Sequence, residues 1–570
     1  MKQVPSSRHS IAQLLQQGQA HHQQGQWDLA AACYREILDR QPRSFEALHL
    51  LGLLTLQTGD VANALPWLQR AAKVKPADAA TQSLIGVALQ SSGQTETSLA
   101  FFQRAARLQP KNAEFHYNLG KALRGLERID EARTCYEAAL RLKPDYADAL
   151  NNLSEALMSL ELPADALKAA EDALRLKPGY AEAWSNRGAA LIGLRQSHKA
   201  LDALNHALAL RPNLQKALAN RGSVLLGLNR FAEARADFEN ALAMAPDEPL
   251  MRWSLSNCQL LTGDFAAGWA GFSTRWNSTA LKGFHPGFRQ PQWDGQPTGQ
   301  RMLVWGEQGL GDQILFTSMF AETALRTRHV RIAVAPRLLT LYRRSFDGLQ
   351  FCAPEEAAAD QAFDAYICMG DLGRIFRPRT EDFLAHRRAY LRADASRTRE
   401  FRQRIAQPGK PVCGLSWSSN NKEVGREKSI SLAELSRAFS GLDVSYIDLQ
   451  YGDTDAERAE VLKQGGIAVE RLPDVDTFND IDDLAALVDA CDVIVTISNT
   501  TAHLAGALGK PVFLMLPYAI GRFWCWQADR SDALWYPKVR IFRQPKEGDW
   551  ASVIRDVRDA LAALPQPDAV

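Results

Sequence analysis

The sequence predicts an α-helical solenoid in its first half, followed by an α/β region made of two lobes with parallel sheets. Two observations support this. Prolines recur every 34 residues from Pro42 to Pro246, as expected for a stack of helical hairpins. Beyond Trp276, short apolar runs alternate with helical stretches, which is the pattern of strand-helix units in parallel sheets.

The composition is that of a globular protein without a charge bias. Of 570 residues, 46% are hydrophobic, and the formal net charge is +1. We therefore expect no nucleic-acid partner. The eight cysteines form neither a CxxC pair nor a Cys/His cluster, which predicts a reducing compartment and no zinc site. The N-terminal region lacks a signal peptide's apolar core, and no apolar run approaches the roughly 20 residues of a membrane span, so we expect a cytoplasmic protein.

The period of 34 residues is that of the tetratricopeptide repeat, a helix-turn-helix unit that ends in proline. Seven units are predicted over about residues 11 to 248, and a divergent eighth unit completes a domain over residues 1–276. Small residues keep the same period at two further positions, which lets paired helices approach closely. These positions are Gly18, Gly52, Gly86, Gly120, Ser154, Gly188 and Gly222, and Ala30, Ala64, Ser98, Ala132, Ala166, Ala200 and Ala234.

Asparagine recurs at one register in the first helices of repeats four to seven. The four residues are Asn118, Asn152, Asn186 and Asn220. Asparagine gains little inside a helix, but its carboxamide can both donate to and accept from an extended peptide backbone. The row resembles the asparagine ladder in the superhelix of O-linked N-acetylglucosamine transferase, which implies peptide binding. The alternative is that each asparagine bonds a neighbouring repeat and sets the curvature. Earlier repeats carry other residues here, namely Gln16, Leu50 and Leu84.

The second half is predicted to fold as two Rossmann-like lobes. Residues 277–300 are rich in Gly, Pro and Gln and predict a linker. The lobes are assigned to residues 301–405 and 406–570, and the second ends with the amphipathic helix "WASVIRDVRDALAAL". Ligands of open parallel sheets bind beyond the carboxyl ends of the strands, where helix N-termini offer N–H groups to anions.

The first such loop, "WGEQGLGDQIL", places Asp312 between glycines and a helix. It lacks the features of a P-loop or of a complete dinucleotide fingerprint. Asp312 fits a helix N-cap as well as a general base at the mouth of a cleft. Glu307 is the other carboxylate of this loop that could serve as the general base.

Two later loops offer groups suited to phosphates. In "SWSSNNKEVGREKSI", Ser418, Ser419 and Asn420 offer hydrogen bonds, and positive charge follows at Lys422, Arg426 and Lys428, although a solvated basic loop would look the same. In "TISNTTAHLAGALG", the residues from Ser498 to Thr501 lie between a strand and a helix, where they would cradle a diphosphate or simply cap the helix. His503, beside apolar residues, is assigned a structural role.

Three segments carry a family resemblance: "GLGDQILFTSMF", "SNTTAHLAGALGKPVFLMLP" and "WYPKVRIFRQPKEGDW". They resemble the bacterial heptosyltransferase-like glycosyltransferases of family 9, in particular the branch with an N-terminal tetratricopeptide array, whose members include flagellin-modifying enzymes. The resemblance implies a GT-B fold with Asp312 as catalytic base, a nucleotide sugar as co-substrate, and no metal or other cofactor. The implied donor-binding residues are Gly311, Ser418, Lys422, Lys428, Gln450, Ser498, Asn499, Thr500, Thr501 and His503.

One position departs from the family pattern. Heptosyltransferases carry Asp followed by Ser or Thr where this chain has Ser498 and Asn499, and that acid helps to hold the sugar. The donor is therefore left open between ADP-heptose and another nucleotide sugar, including a CMP-activated nonulosonic acid. The resemblance implies a protein O-glycosyltransferase whose repeats recruit the acceptor, with flagellin expected. The alternatives are an inactive scaffold and an enzyme that acts on a surface glycolipid.

Overall fold

The computed structural model describes residues 9–277, 283, 285–421, 424–519 and 523–565. Lys422, one of the two lysines assigned to phosphate, lies outside the described residues. The chain forms two compact units, Met1–Arg221 and Gly222–Val570. Among the described residues, no helix is both long enough and apolar enough to cross a membrane.

The first unit is built from antiparallel helix pairs that begin 34 residues apart, as the proline period predicts. The pairs are α1 (Ile11–Gln23) and α2 (Trp27–Arg40), α3 (Phe45–Gln57) and α4 (Val61–Val74), α5 (Ala79–Ser91) and α6 (Thr95–Leu108), α7 (Ala113–Gly125) and α8 (Ile129–Leu142), α9 (Ala147–Ser159) and α10 (Pro163–Leu176), and α11 (Ala181–Gly193) and α12 (Ser197–Leu210). The helix α13 (Gln215–Gly227) spans the boundary between the units.

The periodic glycines lie where the two helices of a pair are closest. A Cβ atom added to Gly18 would lie 2.6 Å from the ring of Tyr34, and one added to Gly120 would lie 2.6 Å from Tyr136. In the fifth pair Ser154 replaces glycine, and its hydroxyl donates to the Ala166 carbonyl at 2.8 Å. Small side chains are therefore needed for helix pairing, as predicted.

The second unit begins with the last repeats and continues into two parallel sheets. Its first helices are α14 (Phe231–Met244), α15 (Pro249–Leu261) and α16 (Phe265–Phe272). The strands are β1 (Thr298–Trp305), β2 (Thr327–Ala333), β3 (Gln350–Cys352), β4 (Ala365–Cys368), β5 (Val412–Ser416), β6 (Ser445–Asp448), β7 (Val469–Glu470), β8 (Val493–Ile497), β9 (Val512–Leu516) and β10 (Val539–Arg543). The remaining helices are α17 (Leu310–Thr317), α18 (Phe320–Arg326), α19 (Leu339–Ser345), α20 (Pro354–Asp360), α21 (Leu372–Phe376), α22 (Thr380–Ala385), α23 (Ala395–Ile405), α24 (Gly425–Lys428), α25 (Leu432–Phe439), α26 (Asp455–Lys463), α27 (Ile481–Ala490), α28 (Thr500–Ala507) and α29 (Trp550–Ala562).

Both sheets are parallel, which confirms the predicted α/β architecture. The first sheet has the order β3-β2-β1-β4 and the second β10-β9-β8-β5-β6-β7. Read from β7, the second order is that of a dinucleotide-binding sheet, with the switch point between β5 and β8. All five residues of β8 are buried, because helices cover both faces of such a sheet.

Residues assigned to the linker pack on the first lobe. Trp293 is only 5% exposed, and its indole N–H donates to the Gln296 carbonyl at 2.8 Å. The Phe288 ring lies 5.2 Å from that of Trp305 and 4.9 Å from that of Phe363. Aromatic burial against β1 and β4 therefore makes this segment part of the lobe.

The eighth repeat is anchored to the first lobe by a buried arginine. Arg275, in the 3-10 turn Ser273–Asn277 that follows α16, binds both oxygens of Glu307 at 2.7 and 2.8 Å and Asp371 at 2.7 Å. Burial opposes the charge on Arg275, but the two carboxylates raise its pKa above the ordinary value. The indole N–H of Trp269 adds a bond to the Arg377 carbonyl at 2.8 Å. The last repeat and the first lobe therefore share one core.

Candidate functional site

A cleft of about 490 Å³ lies between the two lobes, at the carboxyl ends of the strands. Ligands of open α/β sheets bind at this edge. The lining residues assigned from the sequence are Gly311, Asp312, Lys428, Ser498, Asn499, Thr500, Thr501 and His503. Three loops that are far apart in the chain thus meet around one space of nucleotide size.

Asp312 is the carboxylate at the first-lobe side of the cleft. It is the third residue of α17, and its Oδ2 accepts the Gly309 N–H at 3.2 Å. It therefore supports the N-terminus from inside the helix and is not the N-cap residue that the sequence suggested as an alternative. Burial raises the pKa of Asp312 to about 6, which suits a base that works near neutral pH.

Glu307, the competing carboxylate, is fully buried. Both of its oxygens are bound by Arg275, and Oε1 also accepts the Gly370 N–H at 2.7 Å. This carboxylate is therefore closed to solvent, and both of its oxygens already have protein donors. Asp312 is therefore the better candidate for the base.

Lys428 supplies positive charge from the second lobe. It is 4% exposed, and its Nζ donates to the Ser498 carbonyl at 2.9 Å and lies 4.8 Å from the centre of the Phe523 ring. Burial lowers the pKa of Lys428, while the charge of Asp312 raises it. The ammonium group thus lies on the wall of the cleft, with further N–H donors for a phosphate.

The N-terminus of α28 borders the cleft beside Lys428. Asn499 is its N-cap: Oδ1 accepts from the Ala502 N–H at 3.2 Å, and Nδ2 donates to Ser416 Oγ at 2.8 Å. Asn499 thus joins the end of β5 to the loop after β8. The first N–H groups of a helix have no intrahelical acceptor, and Thr500 and Thr501 bring this helix end to the cleft; anion binding there stays a prediction.

His503 lines the cleft and is held by aromatic neighbours; its implied part in donor binding stays a prediction. Its Nδ1 lies 2.8 Å from the Tyr536 hydroxyl, and its ring stacks on Trp526 with centroids 4.9 Å apart. Burial, together with the charge of Lys428, lowers the pKa of His503 to about 3. The imidazole is therefore neutral at neutral pH.

Gly311 allows α17 of the first lobe to approach His503 of the second. An added Cβ would lie 2.9 Å from His503 Cδ2. We expect Gly311→Ala to lower the free energy of unfolding by about 1–3 kcal/mol through overpacking. Urea unfolding checks this, with Gly299→Ala as the matched control, because its Cβ would meet no atom within 4 Å. Equal stability of the two variants would contradict close packing at Gly311.

Two predicted donor ligands do not line the cleft in the described structure. Gln450 is 2% exposed, and its Oε1 accepts the backbone N–H groups of Trp417 and Ser418 at 3.0 and 2.9 Å. Its own carbonyl accepts from the Thr477 hydroxyl at 3.0 Å. Gln450 therefore braces the loop after β5, and Ser418 is held by that brace through its backbone.

Other residues around the cleft were missed by sequence reasoning. Tyr451 and Phe478 line one end, with ring centroids 6.1 Å apart. Arg337 of the first lobe donates to the Phe478 carbonyl at 2.7 Å and lies 4.8 Å above its ring. No sequence motif surrounds these residues. The one available signal was the position of Tyr451, an aromatic residue directly after the segment "DLQ". Together they form a surface on which a base can stack.

No group of three or more His, Cys, Asp or Glu side chains is arranged to hold a metal ion within the described ranges.

The asparagine row lies on successive first helices of the first unit. Three of its members donate to the preceding repeat. The bonds are Asn118 Nδ2 to Ser83 Oγ (3.4 Å), Asn152 Nδ2 to Tyr117 OH (3.2 Å) and Asn186 Nδ2 to Asn151 Oδ1 (2.9 Å). Asn151 in turn donates to Asn152 Oδ1 at 3.3 Å. These contacts match the structural alternative, and peptide binding stays a prediction.

Comparison with known families identifies the repeats. A tetratricopeptide-repeat model matches residues 15–80, 84–147, 117–181 and 220–268, and a second one matches residues 181–214. The N-terminal half is a tetratricopeptide-repeat solenoid. The predicted repeat class is thereby confirmed, including part of the divergent eighth unit.

Known proteins resemble parts of the chain. Protein FlbA of Caulobacter vibrioides is 29% identical over 337 residues, and the match covers 55% of each chain. The chain thus spans about half the length of this relative. Among solved structures, a tetratricopeptide-repeat protein of Thermus thermophilus is 26% identical, with 32% of this chain and 100% of that chain covered and a TM-score of 0.29. The Cut9–Hcn1 assembly is 21% identical, with 44% and 48% covered and a TM-score of 0.37.

Proposed function

We propose that this protein is a glycosyltransferase of the GT-B type, which moves a sugar from a nucleotide donor to a hydroxyl group of a protein. The observation that carries the proposal is the cleft, where Asp312 of the first lobe lies opposite Lys428 and the N-terminus of α28 in the second. A base and an anion-binding surface are the two parts that such a transfer needs.

In the proposed reaction, Asp312 takes the proton of the acceptor hydroxyl. The hydroxyl oxygen attacks the anomeric carbon of the donor and forms the new C–O bond, while the bond to the phosphate oxygen breaks. That oxygen leaves with the electron pair. A pKa of about 6 keeps Asp312 ionised at neutral pH and still able to accept a proton. Direct displacement of this kind inverts the anomeric carbon.

The negative charge on the leaving phosphate is stabilised by the second lobe. Lys428 and the N–H groups at the start of α28 lie on the wall of the cleft. Such preorganised donors in a partly dry site contribute strongly to catalysis. The nucleoside then extends toward Tyr451 and Phe478.

The donor is proposed to differ from ADP-heptose. Where the family carries an acid that helps to hold the sugar, Ser498 accepts the Trp526 indole N–H at 2.9 Å. A buried hydroxyl engaged in this way offers no charge to sugar hydroxyls. We therefore propose another nucleotide sugar.

Incubation of the purified full-length chain with a panel of nucleotide sugars and with flagellin tests the proposal. We expect one donor to add its sugar to flagellin, which is proposed as acceptor because of the resemblance to flagellin-modifying enzymes. If one donor is consumed but a glycolipid carries the sugar, the acceptor assignment is wrong. If the protein neither binds nor consumes any nucleotide sugar, the scaffold alternative replaces the enzyme.

The repeats are proposed to recruit the acceptor through the asparagine row. Each carboxamide has two N–H donors, and Asn118 and Asn152 each use one in the bonds described. Changing Asn118, Asn152, Asn186 and Asn220 to alanine is therefore expected to slow transfer to protein by at least about tenfold, at roughly 1 kcal/mol per lost hydrogen bond. Initial rates at limiting acceptor concentration measure the effect.

Consumption of the donor with a small acceptor serves as the internal control and is expected to stay unchanged. Asn63→Ala is the matched control variant, since Asn63 bonds Asp60 of its own helix pair. If the fourfold variant folds and modifies protein at the wild-type rate, the asparagine row is structural only.

A further inference from the structure

The four residues from Phe523 to Trp526, here called the 523–526 segment, present side chains to two different neighbours. Phe523 and Cys525 line the cleft. Trp524 packs on α16 of the eighth repeat, with its ring centroid 5.2 Å from that of Trp269 and 5.7 Å from that of Phe272. The segment therefore separates the proposed donor site from the last repeat.

On the cleft side, this segment holds the surroundings of Lys428. Phe523 lies under the ammonium group at 4.8 Å. Trp526 is fully buried and donates to Ser498 Oγ at 2.9 Å, and the carbonyl of Ser498 accepts from Lys428 Nζ at 2.9 Å. Both described partners of the ammonium group are thus part of the segment or bonded to it.

On the repeat side, the segment is fixed by backbone and ring contacts. Just after it, the Ala528 N–H donates to the Leu261 carbonyl at the end of α15 at 2.9 Å. The Trp524 ring also lies 6.2 Å from Phe316 of the first lobe and 6.1 Å from Trp535 of the second. Trp524 is therefore the point at which the eighth repeat and both lobes meet.

We propose that Trp524 is a positioning residue for the binding of donor phosphates. Trp524 fixes the 523–526 segment against the eighth repeat, and the segment in turn holds Lys428 in place. The eighth repeat is then part of the donor site as well as the end of the solenoid. This inference rests on the proposed function, in which Lys428 binds phosphate. It assigns to the repeats a second role that does not depend on the acceptor.

Calorimetric titration of the full-length protein with ADP, UDP, GDP, CDP and CMP tests this inference. One of these nucleotides is expected to bind the wild-type protein. We expect Lys428→Ala to lower the affinity for that nucleotide by about tenfold or more. Trp524→Leu should weaken it by about fivefold, and Trp524→Phe should restore most of the loss. In the Lys428→Ala background, Trp524→Leu should cause no further loss, because Trp524 acts through the lysine.

Phe265→Leu is the matched control for a general loss of stability. Phe265 lies in the same helix as Trp269 and packs on Phe383 at 4.5 Å, so its loss should lower the melting temperature while nucleotide affinity stays at the wild-type value. If Trp524→Leu does not fold, Trp526→Phe takes its place: it removes the indole N–H that bonds Ser498, together with one of the two rings, and it should also weaken binding.

Two outcomes separate this inference from the proposed function. If no nucleotide binds the wild-type protein, the proposed function fails, and this inference fails with it. If Lys428→Ala weakens binding but Trp524→Leu or Trp526→Phe binds like wild type, the positioning role is wrong while the proposed donor site stands.

Discussion

Asp312→Asn is expected to lower the rate of sugar transfer by about 10²–10⁴-fold, which is the usual contribution of general base catalysis. The amide keeps the size of the side chain but cannot accept the proton of the acceptor hydroxyl. Donor affinity should change little, because phosphates are proposed to bind Lys428 and α28 on the other lobe. The loss should therefore appear in kcat, measured with saturating donor.

The same variant should change the pH profile. Because burial raises the pKa of Asp312 to about 6 and the ionised form is the base, wild-type activity should rise with pH through about 6. Above that range Lys428 should lose its proton at a lower pH than an ordinary lysine, because burial lowers its pKa. Asp312→Asn should abolish the rise of activity through about pH 6, here called the acid limb, and leave the decrease at high pH unchanged.

Asp364→Asn is the control for the loss of a carboxylate, because Asp364 pairs with Arg301 at the surface. It should leave kcat unchanged. A wild-type rate in Asp312→Asn, with the acid limb intact, would remove Asp312 from the chemistry.

Arg275→Ala is expected to lower the free energy of unfolding of the second unit by about 3–5 kcal/mol. The change leaves Glu307 and Asp371 without their shared cation, and Glu307 is fully buried. It also removes the guanidinium that lies 4.6 Å from the Phe272 ring and 4.1 Å from that of Trp276. Denaturant unfolding followed by tryptophan fluorescence measures the loss.

Arg301→Ala provides the matched comparison. Arg301 and Asp364 form a bidentate pair in which the side chains are 59% and 39% exposed. Exposed ion pairs contribute little to stability because solvent screens them, so this variant should unfold almost like wild type. If Arg275→Ala is equally mild, the eighth repeat is not fixed to the first lobe by this arginine.

Much of the fold could be predicted because its signals are periodic. The 34-residue step predicted the spacing of the helix pairs, and apolar runs such as "DVIVTI" indicated the central strands. The short strands Gln350–Cys352 and Val469–Glu470 were missed, since two or three residues carry no period. The segment around Trp293 was assigned to a linker because it is rich in glycine and proline. Its composition gave no sign that Trp293 is buried against the first lobe.

The site could be predicted only where a motif marks a strand-to-helix loop. Asp312, Lys428 and the residues around Asn499 were placed at the cleft in this way, and they line it; their roles stay predictions. Gln450 was predicted to bind the donor because it follows a strand. Its side-chain oxygen instead accepts the backbone N–H groups of Trp417 and Ser418 in the neighbouring loop. Arg337 and Phe478 were missed, because their contact depends on two loops 141 residues apart. Similarly, the repeat period predicted the position of Asn186 in its helix, but it could not predict that Asn186 donates to Asn151 of the preceding repeat.

The most direct test of the central claim is the intact mass of flagellin from cells that carry the wild-type protein, Asp312→Asn, or the fourfold asparagine variant. We expect sugar mass on flagellin with wild type, its loss with Asp312→Asn and a strong decrease with the fourfold variant. The size of the lost increment would then indicate the donor. The same flagellin mass in all three strains would contradict transfer to flagellin by this protein.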